Sequence, residues 1–264
     1  MDTRAVGERF GELTSRREPE IPLDQAALLV AAHARPSLDL DHELHRLDEL
    51  AEGCFAPTLD ALVTYLFVDL GFAGNRRDYY DARNSYLDQV VTRRLGIPIS
   101  LGVLTMVLGR RIGVPLVGVG MPGHFLLRDQ VDPVVFVDPF GGGRLLDRHG
   151  CERAFHAVHG ADAPFDDAFL TPVGTVSILT RMLANLRNIY AARSDRAGVV
   201  AVLELRNRLP GASAEDRGEL AAALAATGRF GEAARQYEQA GHQLGGTLGA
   251  EYCRNADRLR ARLN

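Results

Sequence analysis

Residues 96–143 read GIPISLGVLTMVLGRRIGVPLVGVGMPGHFLLRDQVDPVVFVDPFGGG, and this stretch decides the fold class. It begins with a helical pattern at Pro98, a residue that suits a first turn because the N–H it lacks would be unsatisfied there. The pattern ends at Gly113, and short β-rich runs separated by Pro, Gly and Asp follow. Helices and strands in separate blocks predict an α+β fold with a small antiparallel sheet rather than a doubly wound fold.

Before this stretch, the spacing of apolar residues predicts four helices. They cover residues 24–34, 41–54, 58–72 and 84–96. Residues 1–20 are polar and are predicted to form a flexible N-terminus. The core domain is therefore predicted over residues 21–168.

A helical tail is predicted over residues 172–264, and it repeats with a period of 34 residues. Similar residues recur at this offset in five pairs: Leu186 and Leu220, Tyr190 and Leu224, Ser194 and Gly228, Val199 and Ala233, Leu203 and Tyr237. This is the period of a tetratricopeptide repeat (TPR), so the tail is predicted to be all-α and TPR-like. Two repeats are fewer than a free-standing solenoid needs, and we therefore expect the tail to pack on the core domain.

Composition excludes several function classes. All 30 basic residues are arginine, so Schiff-base chemistry and a Walker-type phosphate loop, which need lysine, are excluded. A net charge of −4 argues against a nucleic-acid partner. No apolar run reaches the length of a membrane span, and the first residues lack the apolar stretch of a signal peptide. With three widely spaced cysteines, these features predict a cytoplasmic protein without a membrane partner.

A predicted hairpin brings together an imidazole and a carboxylate. If the turn of GHFLLRDQVDPVVFVDP is centred at Val131, His124 lies directly opposite Asp138 on the same sheet face. A carboxylate beside an imidazole fixes its tautomer and supports its protonated form. A nucleophile would complete a triad from a helix N-terminus, and the helix starting at Pro98 offers Ser100 in its first turn. The alternative is that Ser100 only satisfies a backbone group there, and that His124 and Asp138 only tie two strands together.

Four blocks carry a resemblance to a known family. GFAGNRRDYYDARNSYL, RRLGIPISLGVL, RRIGVPLVGVGMPGHFLLR and VVFVDPFGGG resemble the signature blocks of the SirB-type transglutaminase-like proteins. The resemblance implies a transglutaminase-like or papain-like core followed by a TPR tail. In the wider superfamily a Cys at a helix start acts with a His and an Asp on following strands. The resemblance places His124 and Asp138 at those positions and Ser100 nearest the nucleophile position, where this chain has no cysteine.

Further polar residues before the Pro98 helix are candidates for substrate binding. Tyr80, Arg83 and Asn84 lie in YYDARNSYL, and an Asn or Arg near a helix start can hold a substrate carbonyl or carboxylate. The alternative is a polar network that closes the loop between helices. Cys151, His156 and His159 do not have the spacing of a zinc site, so neither a metal nor another cofactor is predicted.

Two functions remain open from the sequence. One is an acyl-transfer or amide- or peptide-bond-hydrolysing enzyme with a degenerate triad, in which Ser100 replaces Cys or His124 activates water. The other is a catalytically inactive scaffold that binds a peptide or protein partner through its cleft and its TPR tail.

Overall fold

The computed structural model describes residues 2–263, which form an α+β fold. The helices are α1 Thr3–Thr14, α2 Leu23–Ala34, α3 Leu40–Glu52, α4 Leu59–Val63, α5 Leu87–Arg93, α6 Pro98–Ile112, α7 Arg148–His159, α8 Thr175–Ala192, α9 Arg196–Arg206, α10 Ala214–Ala226, α11 Phe230–Leu244 and α12 Gly246–Arg260. The strands are β1 Ala73–Gly74, β2 Leu95–Gly96, β3 Leu116–Val119, β4 Leu126–Asp129, β5 Phe136–Asp138, β6 Arg144–Leu146 and β7 Pro172–Val173.

Helix α6 is the central element of the core. It begins at Pro98 and ends before Gly113, which adopts φ 82°, as its sequence predicts. Most of its length is buried, and Gly102 lets it approach the sheet closely. A Cβ at position 102 would lie 2.6 Å from the Phe125 ring, so a larger residue would push the helix away from the strand.

Strands β3 to β7 form an antiparallel sheet in the order β6-β5-β4-β3-β7. Leu127 pairs with Val137, and both belong to the main core that contains α6. Leu126 and Phe136 point the other way and pack with residues of α7. The sheet is thus covered by α6 on one face and by α7 on the other, which confirms the predicted α+β class with a small antiparallel sheet.

The N-terminus corrects the prediction that residues 1–20 are flexible. Over Thr3–Thr14 the chain is a helix, capped by the Asp2 carboxylate, which accepts a hydrogen bond from Ala5 N at 2.7 Å. Val6 and Phe10 are fully buried in the main core. Their spacing of four residues puts both on one face of the helix. Because the surrounding residues are polar, the overall composition of the segment does not reveal this apolar face.

The tail repeats in backbone geometry as well as in sequence. Ser194 and Gly228, the turn residues of the α8–α9 and α10–α11 hairpins, are 34 positions apart and both left-handed, with φ 56° and 80°. In each hairpin the residue after the turn donates its backbone N–H to a carbonyl of the preceding helix. Asp195 N donates to Tyr190 O and Arg229 N donates to Leu224 O, both at 2.9 Å.

The tail packs on the core domain, as expected. Leu186 of α8 and Leu205 of α9 belong to the same hydrophobic cluster as Phe10 of α1. The remaining tail helices form a cluster of their own with the outer face of α9: Val200, Leu203, Leu220, Leu224, Ala233, Ala234, Ala256 and Leu259. The hydrophobic core therefore divides within α9 rather than between residues 168 and 172. Between residues 2 and 263, no helix is long and apolar enough to cross a membrane.

Candidate functional site

The predicted hairpin forms, with a register that differs by two residues from the prediction. Leu127 pairs with Val137, so the strand position facing Asp138 is 126, and His124 lies just before β4. The turn is centred at residue 132 rather than at Val131, and within it the Asp129 carboxylate accepts a hydrogen bond from Val131 N at 2.9 Å. A shift of two residues preserves the face of a strand, so Asp138 keeps its predicted face.

His124 and Asp138 both lie on the side of the sheet that α7 covers. The Asp138 carboxylate, the Ala154 carbonyl and His159 all act on the His124 ring, and the last two belong to α7. Burial lowers the pKa of His124, Arg144 and His159 lower it further, and Asp138 and the Ala154 carbonyl oppose this. The imidazole is therefore mostly neutral at neutral pH. Its Nδ1 is buried and has no hydrogen-bond partner within residues 2–263.

The Asp138 carboxylate is bound by groups other than the imidazole. It is almost fully buried, with Oδ1 accepting from Gly141 N at 2.8 Å and Oδ2 from Arg144 Nη2 at 3.1 Å. A Cβ at position 141 would lie 2.3 Å from Oδ2, so the glycine lets the turn close on the carboxylate. In the described chain Asp138 influences His124 through its charge, without the hydrogen bond of a triad.

Ser100 is not brought to the imidazole. Its side chain is fully buried in the first turn of α6. The hydroxyl oxygen accepts a hydrogen bond from Ile97 N at 3.0 Å and donates to the carbonyl of Asn84 at 2.5 Å, with Ile97 O at 3.2 Å. These contacts agree with the alternative that Ser100 only satisfies backbone groups, because its hydroxyl caps the helix and connects it to the preceding loop. Helix α6 also covers the face of the sheet opposite to α7.

No described cysteine takes the place of Ser100. Cys151 of α7 is fully buried close to Asp138. Burial raises the pKa of its thiol to about 12, with the charges of Asp147 and Asp138 adding to the effect. A thiol with this pKa is protonated at neutral pH and is a weak nucleophile. Cys54 and Cys253 lie away from the sheet, next to Tyr65 and Gly241.

Asn84 organises a loop rather than facing an open surface. It is fully buried, and its Nδ2 donates to the carbonyls of Asp78 at 2.7 Å and Tyr79 at 3.2 Å. Its Oδ1 accepts from Asn75 Nδ2 at 3.0 Å and Arg93 Nη1 at 3.1 Å. Asn84 thus holds the segment 75–84 in shape.

The side chains of Arg83 and Tyr80 differ in whether they already have a hydrogen-bond partner. Arg83 Nη2 lies 2.7 Å from Asp81 Oδ2, and its hydrogen bond is the main cause of the lowered pKa of that carboxyl. The Tyr80 side chain is 68% exposed, while its carbonyl accepts from Arg193 Nη2 of α8 at 3.0 Å. Of the three predicted substrate-binding residues, Tyr80 is the one whose side chain has no hydrogen bond among the described residues, and its ring meets the edge of Tyr79 with centres 5.3 Å apart.

The sequence analysis did not identify Arg181, which contacts the backbone of His124, or Tyr79, which lies near Arg181. Arg181 of α8 donates from Nη2 to the His124 carbonyl at 3.0 Å, and Tyr79 acts electrostatically on the same guanidinium. Arg181 is 57 residues from His124 and lies in the predicted tail, so no local pattern connects the two. Tyr79 is the residue next to Tyr80, and its place in the same polar segment is the one sequence feature that could have identified it.

The residues Cys151, His156 and His159, whose spacing did not predict a zinc site, do not form a metal-binding group. His156 Nδ1 contacts Gly160 O at 3.0 Å, and His159 packs on the Phe155 ring with centroids 4.5 Å apart. Over the part of the chain that the structure describes, no three His, Cys, Asp or Glu side chains form a group that could hold a metal ion.

Comparison with known proteins decides the family. A family model described as the transglutaminase-like superfamily matches residues 22–184. The chain belongs to this superfamily. It is 41% identical over 226 residues to a UPF0162 protein of Xylella fastidiosa, which covers 79% of this chain and 80% of that protein. The matched range extends into α8 and includes Arg181.

More distant relatives share parts of the chain. A UPF0162 protein of Vibrio cholerae is 33% identical over 147 residues, covering 55% of this chain and 52% of its own length. F-box only protein 21 of Mus musculus is 39% identical over 141 residues, which is 50% of this chain and 21% of that protein. No solved structure gives a significant match.

The site in this chain thus contains the His124 imidazole and the Asp138 carboxylate on one face of the sheet. Among the described residues, no nucleophilic side chain is hydrogen-bonded to either group. A neutral imidazole can accept a proton or a hydrogen bond. The arrangement is therefore suited to ligand binding or to base-assisted attack by water, and less suited to covalent catalysis through Ser100.

Proposed function

We propose that this chain is a peptide-binding member of the transglutaminase-like superfamily that no longer performs covalent acyl transfer. One observation carries the proposal: the hydroxyl at the start of α6 is fully buried and already bonded to backbone atoms. A serine nucleophile must reach both a general base and the substrate carbonyl. Ser100 makes contact with neither a base nor solvent.

The state of Asp138 supports the same conclusion. In a working triad the carboxylate accepts a hydrogen bond from the imidazole and stabilises the imidazolium. Here the carboxylate accepts from Gly141 and Arg144, so it stabilises the β5–β6 turn. Burial of His124 also disfavours the imidazolium form.

The tail adds a second surface to the proposed binding function. We propose that α8–α12 form a TPR-like unit, supported by the two hairpin turns with equal geometry at an offset of 34 residues. Helical hairpins of this kind present extended surfaces to peptides or proteins. The partner class is accordingly a peptide or protein, and we propose that the protein acts in the cytoplasm.

Affinity selection with a random peptide library tests this function. The wild-type chain and a His124→Ala variant are each incubated with the library, and bound and unbound peptides are identified by mass spectrometry. We expect the wild type to enrich a subset of intact peptides by about tenfold, which corresponds to about 1.4 kcal/mol of preference. Absence of any enriched peptide contradicts the binding function.

A second candidate is a hydrolase in which His124 activates water. It is favoured by the buried Nδ1 of a neutral imidazole that lacks a partner within the described residues. The same selection separates the two candidates. Shortened or amine-exchanged peptides that appear with the wild type and disappear with His124→Ala would establish catalysis and overturn the binding-only function.

A further inference from the structure

The guanidinium of Arg181 is held in a fixed position beside His124. Its Nη2 donates to the His124 carbonyl at 3.0 Å, and its carbon lies 5.6 Å from the centre of the Phe125 ring. Gly120 leaves room for it, since a Cβ at that position would lie 3.0 Å from Nη1. Arg181 is therefore a positioned side chain on a rigid helix rather than a mobile surface arginine.

Arg181 also lacks a counter-ion. Among residues 2–263, no carboxylate lies within ion-pair distance of it, and its neighbours are the neutral His124 carbonyl, the Phe125 ring and Tyr79. Burial lowers the pKa of this guanidinium from its ordinary value. A guanidinium has five N–H donors, and the described chain uses one of them here. A partly buried cation without a partner is costly, and an anionic ligand would offset that cost.

Tyr79 supplies an aromatic wall and a hydroxyl next to this cation. Its ring is 39% exposed and meets the edge of Phe140, with ring centres 5.9 Å apart. Asn84 fixes its backbone by donating to the Tyr79 carbonyl at 3.2 Å. Burial raises the pKa of this hydroxyl, and the nearby Arg181 charge opposes the rise, so Tyr79 is a neutral hydrogen-bond donor at neutral pH.

We propose that Arg181 and Tyr79, next to the backbone carbonyl of His124, form a binding site for a carboxylate group of a peptide. Arg181 would donate two parallel hydrogen bonds to the carboxylate, the geometry that a guanidinium offers and an ammonium does not. The Tyr79 hydroxyl would donate a third, and the exposed faces of Tyr79 and Phe140 would contact the adjoining peptide. That the ligand is a peptide rests on the proposed function, whereas the carboxylate is inferred from the two side chains.

The charges around the site favour a monoanion over a phosphate. Of the nearby cations, Arg144 is bonded to Asp138, and Arg76 lies over the Phe140 ring at 4.8 Å. Arg181 lies at the His124 carbonyl and has no carboxylate of residues 2–263 within ion-pair distance. A single guanidinium without an ion-pair partner balances one negative charge, so a monoanion fits this site better than a phosphate.

Titration of four small probes into the isotope-labelled full chain, followed by NMR of the backbone amides of Gly120 and Gly123, tests the site. The probes are N-acetyl-Ala-Phe with a free carboxylate, its C-terminal amide, N-acetyl-Glu-Phe-amide and inorganic phosphate. We expect the free carboxylate to bind at least about tenfold more tightly than the amide, because a hydrogen bond from a guanidinium to an ionised carboxylate is stronger than one to a neutral amide. The glutamyl probe decides whether a side-chain carboxylate serves as well as a chain terminus.

Variants assign the binding to the proposed residues. Arg181→Met should weaken the binding of the carboxylate probe by about tenfold or more. Tyr79→Phe, which removes only a hydroxyl, should weaken it by about threefold. Arg187→Met is the matched control, because Arg187 lies on the same helix but pairs with Glu219. If Arg181→Met fails to fold, Tyr79→Phe and the carboxylate–amide comparison still decide the question.

Three outcomes would overturn the site: equal binding of acid and amide, tighter binding of phosphate, or no binding of any probe at millimolar concentration. Each can be told apart from failure of the binding function. If the peptide library is enriched by the wild type and by Arg181→Met alike, the chain binds peptides and the carboxylate site is wrong. If the library is not enriched while the acid probe still binds through Arg181, the site stands and the peptide assignment fails.

Discussion

The hydroxyl of Ser100 donates a hydrogen bond to the carbonyl of Asn84 at 2.5 Å, joining the first turn of α6 to the loop before it. Replacing Ser100 by Ala removes this bond and leaves both the Asn84 carbonyl and Ile97 N without their partner. We expect Ser100→Ala to lower the free energy of unfolding by about 1–3 kcal/mol, as measured by urea denaturation. Peptide enrichment should not change, and a loss of binding without a loss of stability would contradict this structural role.

Restoring sulfur at the same position should not create a reactive site. In a Ser100→Cys variant the thiol would be fully buried and enclosed by backbone groups. We expect it to react with iodoacetamide more slowly than Cys54 or Cys253, which are partly exposed. Peptide mapping after timed alkylation measures the three rates within one sample. Rapid labelling at position 100 would show that the start of α6 opens to solvent.

The sequence predicts the elements that depend on local patterns. Pro98 and Gly113 mark the ends of α6, and the hairpin places His124 and Asp138 on one side of the sheet. The exact register differs by two residues from the predicted one, and the turn contains a hydrogen bond from Val131 N to the Asp129 carboxylate. A polar carboxylate in a loop does not reveal which backbone N–H it will bind.

The rest of the site depends on contacts that are distant in the chain. Ser100 has the residue type and helix position of a nucleophile, and only the packing of the 75–84 segment shows that its hydroxyl is occupied. Arg181 looks like one of many helix arginines until the fold places it under the His124 carbonyl. Such roles follow from tertiary packing, which periodicity does not encode.

Phe10 should make the N-terminal helix an integral part of the core. It is fully buried and belongs to the same cluster as Leu186 and Leu205. We expect Phe10→Ala to cost about 3–5 kcal/mol of stability, because it removes a large side chain and leaves a cavity. Glu8→Ala, on the exposed side of α1, is the control and should cost less than about 1 kcal/mol. Similar denaturation curves for both variants would mean that α1 contributes little to folding.

The two hairpin turns of the tail should respond in opposite directions to substitution. Ser194 pays a steric penalty for its left-handed backbone, whereas Gly228 does not. We expect Ser194→Gly to raise the free energy of unfolding by up to about 1 kcal/mol, and Gly228→Ala to lower it by about 1–2 kcal/mol. Thermal denaturation of the two variants beside the wild type measures both changes. Effects of the same sign would show that the turns are not equivalent.

His33 should make the protein less stable in mild acid. It is buried in α2, and burial, with a contribution from Arg208, lowers the pKa of its imidazole to about 4. Its Nε2 lies 3.8 Å from Glu204 Oε2, but the neutral ring makes no ion pair there at neutral pH. As pH falls below about 6.5 the unfolded chain binds a proton that the folded chain excludes, so this contribution to stability is lost towards pH 4.

A His33→Leu variant isolates this effect from all other titrating groups. Between pH 7 and pH 5 we expect the wild type to lose about 2 kcal/mol more stability than the variant, from the difference between the two pKa values of His33. His124, whose pKa is also lowered by burial, destabilises both proteins equally over this range and cancels in the comparison. Urea denaturation at the two pH values measures the difference. Parallel losses in the wild type and the variant would mean that the folded chain accepts a proton on His33, and that Glu204 then stabilises it as a true ion pair.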